Sequence, residues 1–312
     1  MTDKIAVVQK PPVMLNRAAT IALVIKTIAE VAKEGAALVV FPEAYVPGYP
    51  AWVWRLQPGR DGALNSDLHA RLRKNSVNIA NGQLKLVCDA AAKHKITVAL
   101  GIHEIDSEFS GTTLFNTFVV IGPDGALLNV HRKLMPTNPE RMVWGFGDAR
   151  GLKVVETPVG RIGCLICWEN YMPLSRYALY AQSMDILICP TWDCGDEWIA
   201  TMKHIAKEGG CWVIGTGTAL QGVDLPADFP ERKRVVDDED WLCEGDAVIV
   251  RPFGKIDAGP LRREKGILYG EIEREAAARS RRSLDVAGHY ARPDIFKLEV
   301  NRAAQPLVNF RD

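Results

Sequence analysis

Twice along this chain a short β-branched apolar run passes into a helical repeat and then into a second apolar run that stops at a polar or reactive residue. In the first passage residues 5–9 (IAVVQ) read as a strand, residues 16–34 carry apolar side chains at helical spacing, and residues 37–41 (ALVVF) read as a second strand. In the second, residues 161–168 (RIGCLICW), a helix begun by Pro173, residues 185–190 (DILICP), a helix over 197–208 and residues 211–216 (CWVIGT) repeat β, α, β, α, β. Strands without polar alternation are those covered on both faces, so the pattern predicts sheets backed by helices. Residues 96–104 read as another strand, and residues 114–130 as a hairpin turned by GPDG at 122–125. Antiparallel hairpins beside crossovers point to one layered α/β sandwich, although 312 residues could form two domains.

The segments between these elements differ in kind. Residues 68–94 read as one long helix. Residues 45–65 hold Tyr49, Trp52 and Trp54 among prolines and glycines, an aromatic loop. Residues 131–148 (HRKLMPTNPERMVWGFGD) show neither period and read as a long ordered loop, a type that is usually functional. Residues 226–240, with the run DDED, read as a solvated surface loop.

Charge narrows the function classes. Lys plus Arg and Asp plus Glu are each 38, so no bulk basic field attracts nucleic acid or an anionic membrane, and a small neutral substrate is expected. Apolar residues at 47% and charged residues at 24% suit an ordinary folded protein. No apolar run approaches a membrane span, and the first residues lack a signal peptide's apolar core, so a cytoplasmic protein is expected.

Three residues stand where chemistry is easily built. Glu43 follows VVFP, where Pro42 ends the strand, and ligands of open α/β sheets bind beyond the carboxyl ends of strands. A carboxyl beside apolar and aromatic surface has a raised pKa, which suits a general base near neutral pH, although a surface glutamate on a loop would look the same. Cys167 ends an apolar strand just before the Pro173 helix. There a thiolate could meet backbone N–H groups, but a buried small hydrophobe fits the segment equally. Lys133 and Glu140, with Arg132 and Arg141 nearby, belong to the aperiodic loop, which read alone is a charged, solvated loop.

The seven cysteines are odd in number and scattered, which suits reduced thiols. Cys164 and Cys167 form CxxC and Cys189 and Cys194 form CxxxxC, so a zinc ribbon or redox pair needs weighing. In an extended strand Cys164 and Cys167, three apart, would point to opposite faces, and Cys189 sits in an apolar run rather than a glycine-rich knuckle; both argue against a shared metal.

FPEAYVPGYP around Glu43, HRKLMPTNPERMVWGFGD around Lys133 and Glu140, CLICWENYMPLSR around Cys167 and VAGHYARPD at 286–294 occur in this order across nearly the whole chain. In these segments the sequence resembles the nitrilase branch of the carbon-nitrogen hydrolase superfamily. It departs from the usual pattern in GDA at 147–149, where GDG is common, and at Gly210, where an Arg or similar residue is common; both touch substrate range, not the reaction.

The resemblance implies a four-layer α-β-β-α sandwich in a single domain over 1–312, its core about 4–300 with a short tail at 301–312. It implies a homodimer of eight layers, possibly stacked into spirals, with His289 and Tyr290 near the subunit interface. It implies a nitrilase that makes a carboxylic acid and ammonia, with Cys167 as nucleophile, Glu43 as base, Lys133 stabilising developing charge and Glu140 positioning Lys133. Trp168 would supply a backbone N–H to the developing anion. Tyr49, Trp54, Trp168 and Trp192 would line the pocket and favour aromatic or arylaliphatic nitriles, with aliphatic ones also open. His131 is expected to hydrogen-bond behind the site, and no metal or cofactor is implied. Cyanide dihydratase or hydratase and amidase are the alternatives within the same superfamily.

Overall fold

The computed structural model describes residues 2–304, 308 and 311. Its strands are β1 Thr2–Val8, β2 Leu38–Val40, β3 Thr97–Ile105, β4 Leu114–Ile121, β5 Leu127–Arg132, β6 Val155–Thr157, β7 Gly160–Cys164, β8 Ile186–Thr191, β9 Trp212–Gly217, β10 Ala219–Gln221, β11 Trp241–Val250, β12 Ile256–Arg262 and β13 Ile267–Glu273. Its α-helices are α1 Arg17–Lys33, α2 Gly62–Asn75, α3 Lys85–His94, α4 Pro173–Tyr180, α5 Asp196–Glu208 and α6 Arg274–Arg281. Local chemistry sets several of their ends. The Asn16 side chain accepts the Ala19 N–H at the start of α1, and Pro173 opens α4 where its missing N–H costs nothing.

Two sheets result, ordered β13-β1-β2-β3-β4-β5 and β10-β11-β9-β8-β7-β6, with β12 on β11. Their centres, β1-β2-β3 and β7-β8-β9, are parallel, because each step is a helical crossover. The flanking pairs are antiparallel.

Side-chain alternation along the strands builds the layers. In β1, Ala6 and Val8 join Val24, Ile28, Val87 and Ala91 of α1 and α3, while Ile5 and Val7 face the second sheet. In β8, Ile186 and Ile188 meet Ile5, Val7, Leu38 and Val40 between the sheets, whereas Leu187 and Cys189 pack under Trp198, Met202 and Ile205 of α5. The order is therefore helix, sheet, sheet, helix, the four-layer sandwich implied by the resemblance. No helix of the described residues is long and apolar enough to cross a membrane.

Three expectations need correction. The helix expected over 68–94 is two helices. Val77 leaves the helical path to exchange backbone hydrogen bonds with β3, accepting from Ile105 and donating to His103, and the polar segment after it cannot sustain a helix. The strand expected over 161–168 ends at Cys164, and Cys167 opens a 3-10 turn at φ +52°. The argument that Cys164 and Cys167 occupy one extended strand therefore fails. The loop expected over 131–148 begins with two residues of β5 and contains a 3-10 turn at Asn138–Met142. The tail at 301–312 lies partly outside the described residues.

The sheet directions place the chemistry. β5 runs in the same sense as β2, since two antiparallel steps separate it from β3, so Glu43 beyond β2 and Lys133 beyond β5 leave the first sheet at one edge. Cys167 beyond β7 and Thr191 at the end of β8 leave the carboxyl edge of the second sheet.

Candidate active site

The turn carrying Glu43 is packed against β3. Ala44 takes φ +49°, and a Cβ on Gly101 would strike the Pro42 carbonyl oxygen, so only glycine lets the two backbones approach this closely. Glu43 is 2% exposed. Its Oε1 accepts bonds from Lys133 Nζ at 2.8 Å and from Asn116 Nδ2 on β4 at 2.6 Å. Its Oε2 is buried without a hydrogen-bond partner, an acceptor left open on the carboxylate.

Lys133 is 1% exposed and also donates to Glu140 Oε2 at 2.8 Å. Glu140 sits in the 3-10 turn, where Oε2 accepts the Thr137 N–H at 2.7 Å and Oε1 accepts the Tyr49 hydroxyl at 2.6 Å. Trp54 Nε1 donates to the Tyr49 oxygen at 2.9 Å, and the Tyr49 ring stacks on Trp192 at 4.1 Å. The lysine loop is closed by Gly147, whose N–H reaches the Lys133 carbonyl at 2.8 Å and whose Cβ, were there one, would hit the Arg132 carbonyl. That accounts for the second glycine of WGFGD.

Cys167, 4% exposed, stands on its turn in a left-handed conformation that is rare outside glycine and common at functional sites. The Glu169 carboxylate folds back onto the turn, accepting the Ile166 N–H at 2.6 Å, the Leu134 N–H at 2.7 Å and a contact from His131 Nε2 at 2.9 Å. Glu169 thus ties the cysteine turn to the lysine loop. Thr191 Oγ1 lies 3.2 Å from Cys167 Sγ.

The electrostatics follow from burial. Loss of solvent raises the Glu43 carboxyl to about 7, with Lys133 pulling down and Glu140 pushing up. Burial alone would discharge Lys133, but the charges of Glu43, Cys167 and Glu140 outweigh it and hold the ammonium above its ordinary range. Burial and then Glu43 push the Cys167 thiol up to about 12, against the pull of Lys133 and of the Thr191 bond.

A small pocket of 190 Å³ opens here, lined by Tyr49, Trp54, Thr137, Glu140, Cys167, Trp168, Trp192 and Asp193. It contains all four aromatic residues expected to line it, with Trp168 closing one side through a 2.8 Å bond from its Nε1 to Asp193. Trp52 packs in the core beneath, against Phe229. His131 lies fully buried behind the lysine loop rather than on the pocket. Tyr290 is exposed and sits outside this cluster. Sequence reasoning missed Asn116, Thr137, Glu169, Thr191 and Asp193. Only Thr191 carried a usable signal, since it ends an apolar strand at the sheet's carboxyl edge.

The carbon-nitrogen hydrolase model matches residues 4–282. The chain belongs to the carbon-nitrogen hydrolase family. It is 39% identical to the aliphatic nitrilase of Sinorhizobium fredii (strain HH103), over 97% of both chains. It is 35% identical to a bifunctional nitrilase/nitrile hydratase of Nicotiana tabacum, over 99% of this chain and 89% of the relative. In fold it is similar to Saccharomyces cerevisiae Nit3, a member of branch 10 of the nitrilase superfamily, with a TM-score of 0.71 at 19% identity over 93% of this chain and 96% of the other.

Proposed function

We propose that the protein is a nitrilase, converting a nitrile and two waters to a carboxylic acid and ammonia through a covalent intermediate on Cys167. The observation that carries the reading is the fully buried Lys133 ammonium, 2.8 Å from both Glu43 and Glu140, the latter lining the same pocket as Cys167. Relatives named as nitrilases at 35–39% identity over most of the chain support the choice of reaction.

Glu43 is the base. With its carboxyl near 7 and one oxygen open, it takes the Cys167 proton as sulfur attacks the nitrile carbon. The S–C bond forms, one C–N π pair moves to nitrogen, and Glu43 returns the proton there to give a thioimidate. Lys133 holds its charge despite burial, because Glu43, Cys167 and Glu140 surround it, so it stabilises the anion that develops. The 3-10 turn leaves the N–H groups of Cys167 and Trp168 without in-turn acceptors, and Trp168 offers the second donor. Water activated by Glu43 adds to the thioimidate, ammonia leaves, and a second water frees the acid from the thioester. Expulsion of the thiol in place of ammonia gives an amide as minor product. Glu140, fixed by Thr137 and Tyr49, positions Lys133.

The small aromatic pocket favours compact aliphatic and arylaliphatic nitriles over extended ones. We place the enzyme in the cytoplasm as one catalytic unit that pairs through the helices following Cys167, with the His289–Tyr290 segment near that contact. The test is ammonia release and product identity over a panel of nitriles, cyanide and matching amides, with Cys167→Ala as control. Acid and ammonia from nitriles, absent in the control, is the expected result. Turnover of cyanide or amides alone would overturn the choice of substrate, and an active control would overturn the mechanism.

A further inference from the structure

Thr191 is the last residue of β8 and is 1% exposed. Its Oγ1 accepts the Asp193 N–H at 2.8 Å and lies 3.2 Å from Cys167 Sγ. A hydroxyl has one hydrogen and two lone pairs. With a lone pair held by the Asp193 N–H, the hydrogen is directed away from that amide, and sulfur is the acceptor within reach. The loop that fixes this orientation is itself anchored to the cysteine turn, because Asp193 accepts the Trp168 indole N–H at 2.8 Å.

We propose that Thr191 is a catalytic residue: its hydroxyl donates a hydrogen bond to the Cys167 sulfur and carries part of the negative charge when Glu43 takes the thiol proton. The inference rests on Cys167 being the nucleophile. The S–H bond breaks, its proton goes to Glu43, and the electron pair stays on a sulfur that can then only accept. A hydrogen bond to a charged acceptor is stronger than one to a neutral thiol, so the Thr191 bond strengthens as the nucleophile forms. Burial and Glu43 both oppose that ionisation, while Thr191 joins Lys133 in favouring it. Asn170 donates to the Leu165 and Cys167 carbonyls and Glu169 accepts the Ile166 N–H, so both hold the backbone of this turn rather than the sulfur.

Thr191→Val keeps the shape and removes the donor. Thr191→Ser keeps the donor, and Thr191→Ala completes a second pair that differs only by the hydroxyl. Two readouts are needed: kcat/KM on a nitrile turned over by the wild type, and the rate at which iodoacetamide modifies Cys167 between pH 7 and 10, mapped by peptide mass. Loss of a hydrogen bond to a charged partner lowers kcat/KM about 10- to 100-fold in Thr191→Val. Alkylation of Cys167 slows about 3- to 10-fold, less than the thiolate fraction falls, because a more basic thiolate is more nucleophilic. Thr191→Ser stays within a few-fold of wild type on both, and Thr191→Ala follows Thr191→Val. If Thr191→Val folds poorly, the Ser and Ala pair decides alone. Slower turnover with unchanged Cys167 alkylation would mean that Thr191 only shapes the pocket, and the proposal falls. Cys167→Ala retaining activity would instead remove the nucleophile assignment, while the alkylation arm still reports on the Thr191 bond.

Discussion

Replacing Lys133 with methionine removes the one cation between two buried carboxylates while nearly keeping its volume. Glu43 and Glu140 are 2% and 1% exposed, so neither gains water in exchange for the lost ammonium. Removing one partner of a buried pair costs about 3–5 kcal/mol, because the remaining charge is uncompensated. For 312 residues at about 2.1 cal/mol/K each, the unfolding entropy is about 0.65 kcal/mol/K, so Tm should fall by about 5–8 °C near pH 7.5. The pH dependence is the sharper test. Glu43 already sits at about 7, raised chiefly by burial, with Lys133 opposing. Without Lys133 its folded value rises further. A carboxyl raised on folding adds stability below its unfolded value near 4.5 and loses it as pH climbs through the folded value. The deficit of Lys133→Met should therefore shrink toward pH 4.5–5 and grow toward pH 7–8, and adding Glu43→Gln should recover part of it. Differential scanning calorimetry of both variants across pH 5–8 measures this. A deficit under about 1 °C, or one flat with pH, would refute the buried charged network.

Three further outcomes follow from the same geometry. The ascending limb of kcat/KM against pH should lie near 7, where Glu43 loses its proton, and Glu140→Gln should move it to lower pH because the Glu140 charge raises Glu43; a limb that stays or rises contradicts this. Iodoacetamide at pH 7.5 should modify half-buried Cys194 before Cys167, since hydrogen bonds from the Cys243 thiol and the Glu244 N–H outweigh burial and bring Cys194 down to about 7, whereas Cys167 is pushed up to about 12. Peptide mapping that finds Cys167 labelled first would show the opposite order. Glu169→Ala should destabilise the fold by about 2–6 kcal/mol, because the Ile166 and Leu134 N–H groups lose their acceptor at about 1–3 kcal/mol each, and urea unfolding with an unchanged midpoint would contradict that role.

What the linear chain determined by itself was the layering and the candidate reactive groups. The runs at 5–9, 37–41 and 185–190 are apolar on both faces, and such strands are stable only when covered on both sides, so sheets under helices followed from composition along the strand. Glu43 and Cys167 were legible because a strand that stops at a polar residue delivers it to a sheet edge, and the long motifs around them, Lys133 and Glu140 name a reaction class. Local pattern was less reliable where tertiary pairing outweighed it. Val77 breaks a helix to bond with β3, and Cys167 leaves the strand for a left-handed turn that apolar spacing cannot reveal. The partners that set the electrostatics were decided only in three dimensions. Asn116 reaches Glu43 across 73 residues, Tyr49 reaches Glu140 across 91, and Thr191 reaches Cys167 across 24. Thr191 showed only its place at a strand end and Tyr49 only its place in an aromatic loop, and no local pattern showed any of these pairings, because a side chain placed by packing between two sheets is specified by which strand ends meet. The same holds for pKa: the sequence names a carboxyl and a thiol, but desolvation and charges brought from distant segments set where they titrate.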